Sequence, residues 1–190
     1  EKLKVKEDDI EPLADEMVYT YLNFTRWTTS DAFNLAIGQG ENAYTPAQMV
    51  RFTSAIANGG ILNQLYVVQK SISSDYSQVE IRETESEKIN FKNSDNLKDI
   101  IKGMKLVATE GTAKKTFGPN FPISVAAKTG TAQKVINGNY ADGKYNCSFV
   151  GVAPTDDPKI VVLAIVDEPM GDTRFGSTTA GPIIKEVMSN

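Results

Sequence analysis

Histidine is absent from this 190-residue chain, and cysteine and tryptophan occur once each. Without an imidazole, histidine-based acid–base catalysis and Cys/His metal sites are excluded. A single thiol, Cys147, cannot form an intramolecular disulfide. No apolar run approaches the ~20 residues that cross a bilayer, and the charged stretch from Glu1 to Asp9 is unlike a signal peptide. The chain as given is therefore expected to be soluble. Positive charge is also scarce: 20 Lys and Arg stand against 24 Asp and Glu, a net charge of -4. The basic residues are scattered, which leaves no electrostatic footprint for nucleic acid, so no nucleic-acid partner is expected.

What remains is the composition of one ordinary folding unit, with 41% hydrophobic and 23% charged residues. Leu13, Met17, Val18, Tyr21 and Leu22 recur at helical spacing and predict a helix over 11–23. After a loop containing Trp27, Thr45-Pro-Ala-Gln48 spells a helix start: Thr45 caps, Pro46 suits the first turn, and Gln48 can bond back to the cap. Met49, Phe52, Ala55 and Ile56 form its expected apolar face, and Asn58-Gly-Gly60 ends it. Residues 61–72 look strand-like, and 73–93 read as a polar, acidic surface hairpin. Leu97, Ile100, Ile101, Met104 and Val107 mark another helix, ended near Gly111, with a second short helix expected over 112–117. The last third is rich in β-formers over 123–135, 145–153 and 159–166. The intervening turns, 137–143 and 155–158, are too short for anything but antiparallel pairing. A closing helix over 179–188 completes an α+β reading: helices first, then a three-stranded antiparallel meander with a C-terminal helix on one face.

The first strand of that meander holds Lys128-Thr-Gly-Thr131 within Val125-Ala-Ala-Lys-Thr-Gly-Thr-Ala-Gln133. Glycine weakens a strand interior and is kept there where another backbone or a ligand approaches closely. Thr129 and Thr131, at alternate positions, place two hydroxyls on one side, and an ammonium is expected beside them. Such an edge suits an extended peptide ending in a carboxylate: backbone bonds along the strand, hydroxyls and a cation for the terminal charge.

These residues resemble the Lys-Thr-Gly marker of the penicillin-binding proteins and class A β-lactamases, whose other markers are Ser-x-x-Lys and Ser-Asp-Asn. The extension Thr131-Ala-Gln133 is similar to the class B penicillin-binding proteins in particular. Leu35-Ala-Ile-Gly-Gln-Gly40 with Thr45-Pro-Ala-Gln-Met49 and Asn58-Gly-Gly60 resembles the family's stretch between its second and third markers. Ser148-Phe-Val-Gly-Val-Ala-Pro154 resembles the strand after the third. The resemblance implies a partial penicillin-binding transpeptidase fold, with residues 1–190 the C-terminal portion of one such domain. It also implies the activity of a peptidoglycan D,D-transpeptidase, which cross-links stem peptides ending in D-Ala-D-Ala through a serine acyl-enzyme and is acylated by β-lactams. By the same resemblance Lys128 serves the charge network beside a second-marker serine. Thr129 and Thr131 bind the substrate or β-lactam carboxylate, the Thr131 N–H is half of an oxyanion hole, Gly130 leaves room for the acyl group, and Gln133 touches substrate further along. No cofactor or metal is implied. Further partners would be the N-terminal part of the same domain and the proteins of a cell-wall synthesis complex. The location would be extracytoplasmic, through an N-terminal anchor that this chain lacks. The stretch Asn34–Gly40 leans toward the elongation subtype.

No serine here is followed three positions on by lysine; only Thr112/Lys115 and Thr131/Lys134 have that spacing. The nucleophile is therefore expected upstream, and the chain alone is expected to be inactive. Ser94-Asp-Asn96 spells the second marker but stands where a helix N-cap is wanted and too close ahead of Lys128, so it reads as a cap. Gly38-Gln-Gly40, after a strand-like Leu35-Ala-Ile37, imitates a dinucleotide fingerprint. No helix begins where a phosphate would need one, and it reads as a turn. Cys147 reads as a small buried residue. Two other readings stand beside the enzyme: a non-catalytic sensor or pseudo-enzyme module that keeps the peptide-binding strand, and a β-lactamase, which would need a water-activating carboxylate that the sequence does not reveal.

Overall fold

A computed structural model of the chain describes residues 28–39, 44–171 and 173–190. The helix expected over 11–23 and Trp27 lie outside the described residues. Two compact units are distinguished, residues 1–43 and residues 44–190.

In the first unit, α1 (Thr29–Ala36) opens on a capping box in which Thr28 and Asp31 bond reciprocally. It closes on Gly38 at φ +74, with Gly38 N–H donating to the Leu35 carbonyl and Gln39 N–H to the Asn34 carbonyl. Leu35-Ala-Ile37, expected to be strand-like, is instead the last helical turn and its cap. The glycine after it supplies the left-handed residue on which such an ending depends.

The second unit begins with α2 (Pro46–Ala57), whose Thr45/Gln48 capping box and Pro46 match the sequence reading. Gly60 N–H donates back to the Ala55 carbonyl, the six-residue closure of a left-handed helix stop. Its buried side chains are Thr53 and Ala55, while Phe52, expected inside, is exposed. The strand-like stretch 61–72 divides in two. Strand β1 (Ile61–Asn63) pairs with β4 (Ser86–Lys88), and β2 (Lys70–Ile72) pairs with β3 (Val79–Ile81), each pair antiparallel and two-stranded. Next, α3 (Asp95–Thr109) buries Leu97 and Ala108, leaving Ile100 exposed. Ser94 stands at the N-cap position as expected but makes no side-chain capping bond, and the Asn93 carboxamide oxygen accepts from Asp95 N–H at 3.0 Å instead. Residues 112–117, expected to be helical, form consecutive turns. Ala113 and Phe117 of these turns are buried in the core, and a Cβ on Gly111, where the helix gives way to them, would crowd the Val107 backbone.

The main sheet has the expected order, β5 (Ala126–Ile136), β6 (Asn139–Ala153) and β7 (Ile160–Asp167), all antiparallel. Residues 137–143 are no open loop. Asn137 and Gly138, both at positive φ, make a two-residue turn whose twist suits a hairpin, and β6 starts at once. The slack is taken up by a bulge: Gln133 pairs with Tyr145 and Val135 with Tyr140, so Ala141 to Lys144 stand opposite Lys134 alone. The expected closing helix breaks at Ala180 into α4 (Gly176–Thr179) and α5 (Gly181–Ser189).

The core lies between the sheet and the C-terminal helix. Ala127, Phe149 and Ala153 meet Ala113 and Phe117 of the turn segment and Ala180, Ile184 and Met188 of the last helices, with Val162, Ala164 and Val166 alongside. Phe149, fully buried, packs its ring 5.9 Å from that of Phe117, which meets Phe121 edge-on at 4.9 Å. Close approach of α5 requires Gly151, because a Cβ there would come within 2.7 Å of the Met188 methyl. Ala126 and its partner Val152 point the other way and are also buried, where α2 packs against β7 and α3.

Candidate active site

Strand β5 is an edge strand in the order β5-β6-β7, and the pleat assigns its side chains in alternation. Thr129 pairs with Phe149 and Thr131 with Cys147, so both hydroxyls lie on the face that α4 and α5 cover. Lys128 pairs with Val150 and Gly130 with Ser148, on the opposite face. The expectation of an ammonium beside the threonines is thus corrected: period-2 alternation puts the Lys128 side chain across the sheet from them. Its Nζ curls back along the strand to donate to the Thr129 carbonyl at 2.6 Å.

Each hydroxyl is held by a group distant in sequence. Thr112, in the turns after α3, shares a 3.1 Å hydroxyl–hydroxyl bond with Thr129. A hydroxyl carries one donor and two acceptor positions, so Thr129 can accept from Thr112 and direct its own hydrogen at a ligand. The Gly176 N–H, at the start of α4, donates to Thr131 Oγ1 at 3.3 Å, which fixes the threonine rotamer. Gly176 is confined to glycine, since a Cβ would run into the carbonyl oxygens of Ser148 and Gly130. Gly130 faces a similar restriction: a Cβ there would strike the Ser148 hydroxyl. Thus Ser148 already supplies a packing reason for the glycine. Gln133 donates through Nε2 to the Ala141 carbonyl at 3.2 Å and so braces the bulge. Of the five expected site residues, then, Thr129, Gly130 and Thr131 come together on the strand edge, Lys128 reaches that edge from the other face, and Gln133 is engaged within the hairpin. Sequence reading missed Thr112, Ser148 and Gly176. Of these, Ser148 lay within the stretch that resembles the strand after the third marker, but no site role was read from it.

Charge gathers at the far end of the hairpin. Lys134 bridges Asp167 at 3.0 Å and Glu168 at 2.9 Å, and Lys144 reaches Glu168 at 3.4 Å. The hydrogen bond to Glu168 raises the Lys134 pKa, and the same bond holds the Glu168 carboxyl below its usual range. No group of three or more His, Cys, Asp or Glu side chains fit to hold a metal ion occurs among the described residues.

Comparison with known proteins shows the family and the fold. The family model for the penicillin binding protein transpeptidase domain matches residues 13–189. Stage V sporulation protein D of Bacillus subtilis is 37% identical over 153 residues, covering 80% of this chain and 23% of that protein. The probable peptidoglycan D,D-transpeptidase PenA of Neisseria gonorrhoeae is 28% identical over 166 residues, covering 87% of this chain and 26% of that protein. In fold, penicillin binding protein 3 of Mycobacterium tuberculosis superposes with a TM-score of 0.72 at 24% identity, covering 86% of this chain and 38% of the other. The chain spans about a quarter of the length of the curated relatives it matches.

Proposed function

The chain belongs to the penicillin-binding protein transpeptidase family, class B, and from that premise we propose that it is the C-terminal portion of the transpeptidase domain of a peptidoglycan D,D-transpeptidase. The observation that carries the reading is the strand edge at Lys128-Thr-Gly-Thr131, with its two hydroxyls braced by Thr112 and Gly176. An extended stem peptide lies along that edge. Its terminal carboxylate takes hydrogen bonds from Thr129 and Thr131, while Lys128, on the other face of the strand, serves the charge network beside the second-marker serine. A serine on the upstream part of the domain attacks the carbonyl of the penultimate D-alanine. The oxygen of the tetrahedral intermediate is stabilised by the Thr131 N–H, a donor of a kind worth about 2.7–4 kcal/mol where it has been removed from other enzymes. Collapse expels the last D-alanine and leaves an acyl-enzyme, which the amine of a neighbouring stem peptide then attacks, forming the cross-link and freeing the serine. A β-lactam occupies the same edge and acylates the same serine. Gly130 keeps the acyl group's approach open, and Gln133 acts through the bulge it braces.

The enzyme works outside the cytoplasmic membrane on peptidoglycan, held by an N-terminal anchor and alongside other cell-wall synthesis proteins. Its elongation subtype rests on Asn34–Gly40 alone; the sporulation protein and PenA are relatives of other names. The test is acylation by a fluorescent penicillin of the protein carrying its upstream Ser-x-x-Lys segment. One adduct on that serine is expected, formed far more slowly in Lys128→Ala. Absence of any adduct, or wild-type labelling of Lys128→Ala, would overturn the assignment.

A further inference from the structure

We infer that Arg174 is a positioning residue for acylation, clamping the segment between β7 and α4 onto the hairpin that carries the Lys-Thr-Gly-Thr strand; the inference rests on the transpeptidase reading. Three bonds within three residues make the clamp. Arg174 Nη1 donates to the Gly143 carbonyl at 2.8 Å. The Cys147 thiol donates to the Arg174 carbonyl at 3.1 Å. The Gly176 N–H donates to Thr131 Oγ1 at 3.3 Å. Cys147 is the cross-strand partner of Thr131, and Gly143 lies in the bulge braced by Gln133. Arg174 therefore grips the return strand β6 at Gly143 and at Cys147, and Gly176, two residues on, holds β5 at Thr131, the threonine to which the oxyanion contact and half of the carboxylate contact are assigned.

The local backbone is built around this grip. Gly143 sits at φ +76, a conformation that favours glycine, and a Cβ there would come within 2.8 Å of Arg174 Nη1. A planar guanidinium has a rigid donor fork that an ammonium lacks, so lysine can replace the bond only in part. At the other end of the same connection, Glu168 N–H donates to the Tyr145 carbonyl, and the Glu168 carboxylate joins Lys134 and Lys144. The connection is thus bolted to the hairpin at both ends, and the Arg174 end is the one next to Thr131. Loosening it lets Gly176 and Thr131 drift while leaving the buried core around Phe149 and Ile184 untouched, because Arg174 is exposed and takes no part in that core.

The test uses the protein with its upstream nucleophile segment and stopped-flow acylation by a fluorescent penicillin, which separates pre-covalent affinity from the acylation rate constant. In Arg174→Ala the rate constant is expected to fall about tenfold, short of the roughly hundredfold that follows loss of an oxyanion donor, with affinity within about twofold of wild type. Arg174→Lys is expected to recover part of the rate. A second readout does not depend on acylation: Cys147, fully buried beneath the Arg174 backbone, is expected to react faster with a maleimide in Arg174→Ala, as read by peptide mapping. Unchanged rate and unchanged Cys147 labelling overturn the inference, as does a loss confined to affinity. A melting temperature that falls equally in the Ala and Lys variants, with no rate recovery in Lys, also overturns it. If the wild-type protein takes no penicillin at all, the transpeptidase reading fails, and unchanged Cys147 labelling would then refute the clamp separately.

Discussion

Gly176→Ala puts the sharpest strain on the proposed arrangement. The added methyl would meet the carbonyl oxygens of Ser148 and Gly130 and the Ser148 carbonyl carbon at 3.1 Å, all of them sheet backbone with no freedom to rotate away. Either α4 lifts off the sheet or β5 and β6 deform at Gly130. Overpacking of this kind costs typically about 1–3 kcal/mol. Retreat of α4 also removes the Gly176 bond to Thr131, about 0.5–1.5 kcal/mol more. The sum, roughly 2–4 kcal/mol, is a large fraction of the ~5–15 kcal/mol that holds a domain folded. For a unit of this size it corresponds to a fall of about 4–16 °C in melting temperature. Urea and thermal melts of Gly176→Ala beside Gly171→Ala provide the measurement, since a Cβ on Gly171 meets nothing within 4 Å and should change stability by less than ~0.5 kcal/mol. A Gly176→Ala protein that melts within a degree or two of wild type would refute the close packing of α4 on the site strand.

Phe149→Ala removes the largest fully buried side chain among the described residues and should cost about 3–5 kcal/mol in urea unfolding. Asn93→Ala should cost about 1 kcal/mol because it deletes the bond to Asp95 N–H, while Ser94→Ala should stay within ~0.5 kcal/mol; the reverse order would restore Ser94 as the cap. The 190-residue chain incubated with penicillin should show no mass gain on any serine, since none has lysine three positions on. The Lys134–Glu168 pair has a signed pH dependence. Glu168, lowered in the fold, contributes stability that is present above its ordinary value of 4.5 and lost as pH falls through the lowered one. Lys134, raised in the fold, contributes stability that is present below 10.5 and lost as pH rises through the raised value. The stability gap between wild type and Glu168→Gln should therefore be flat from roughly pH 5 to 10 and close at both extremes; a gap that grows on acidification would contradict the pairing.

Much of this fold was legible because its signals are local. Thr45-Pro-Ala-Gln48 carries its capping chemistry within four residues, and Asn58-Gly-Gly60 carries the stop, so α2 was placed to within a residue. The meander was readable from β-formers separated by short turns. Failures came where two local signals competed or tertiary contacts decided. Leu35-Ala-Ile37 is apolar enough for a strand, but the capping box at Thr28 and Gly38 at its end make it helical. Residues 137–143 look like a loop by composition, yet Asn137-Gly138 is a complete hairpin turn on its own and the remainder is absorbed as a bulge. Residues 112–117 have helical composition, and what stops them is the packing of Ala113 and Phe117 into the core, which no window of sequence contains.

The site divides along the same line. That Thr129 and Thr131 share a face follows from period 2 and needs no structure, and the same rule places Lys128 on the other face. Which face is covered by helices is a tertiary fact. The groups that set the hydroxyls lie 17 residues away for Thr112 and 45 for Gly176, and the Arg174 clamp spans 31. The Arg174 and Gly176 contacts are made only after β6 has returned beside β5 and β7 beside β6, because the chain reaches α4 through both strands. The motif is thus written in four consecutive residues, while the geometry that makes it useful is written in the closure of the sheet. Substitutions at Thr112, Gly143, Arg174 or Gly176 should therefore alter the behaviour of Lys128-Thr-Gly-Thr131 without changing a letter of it, and these are the positions where variation in response to β-lactams should be sought first.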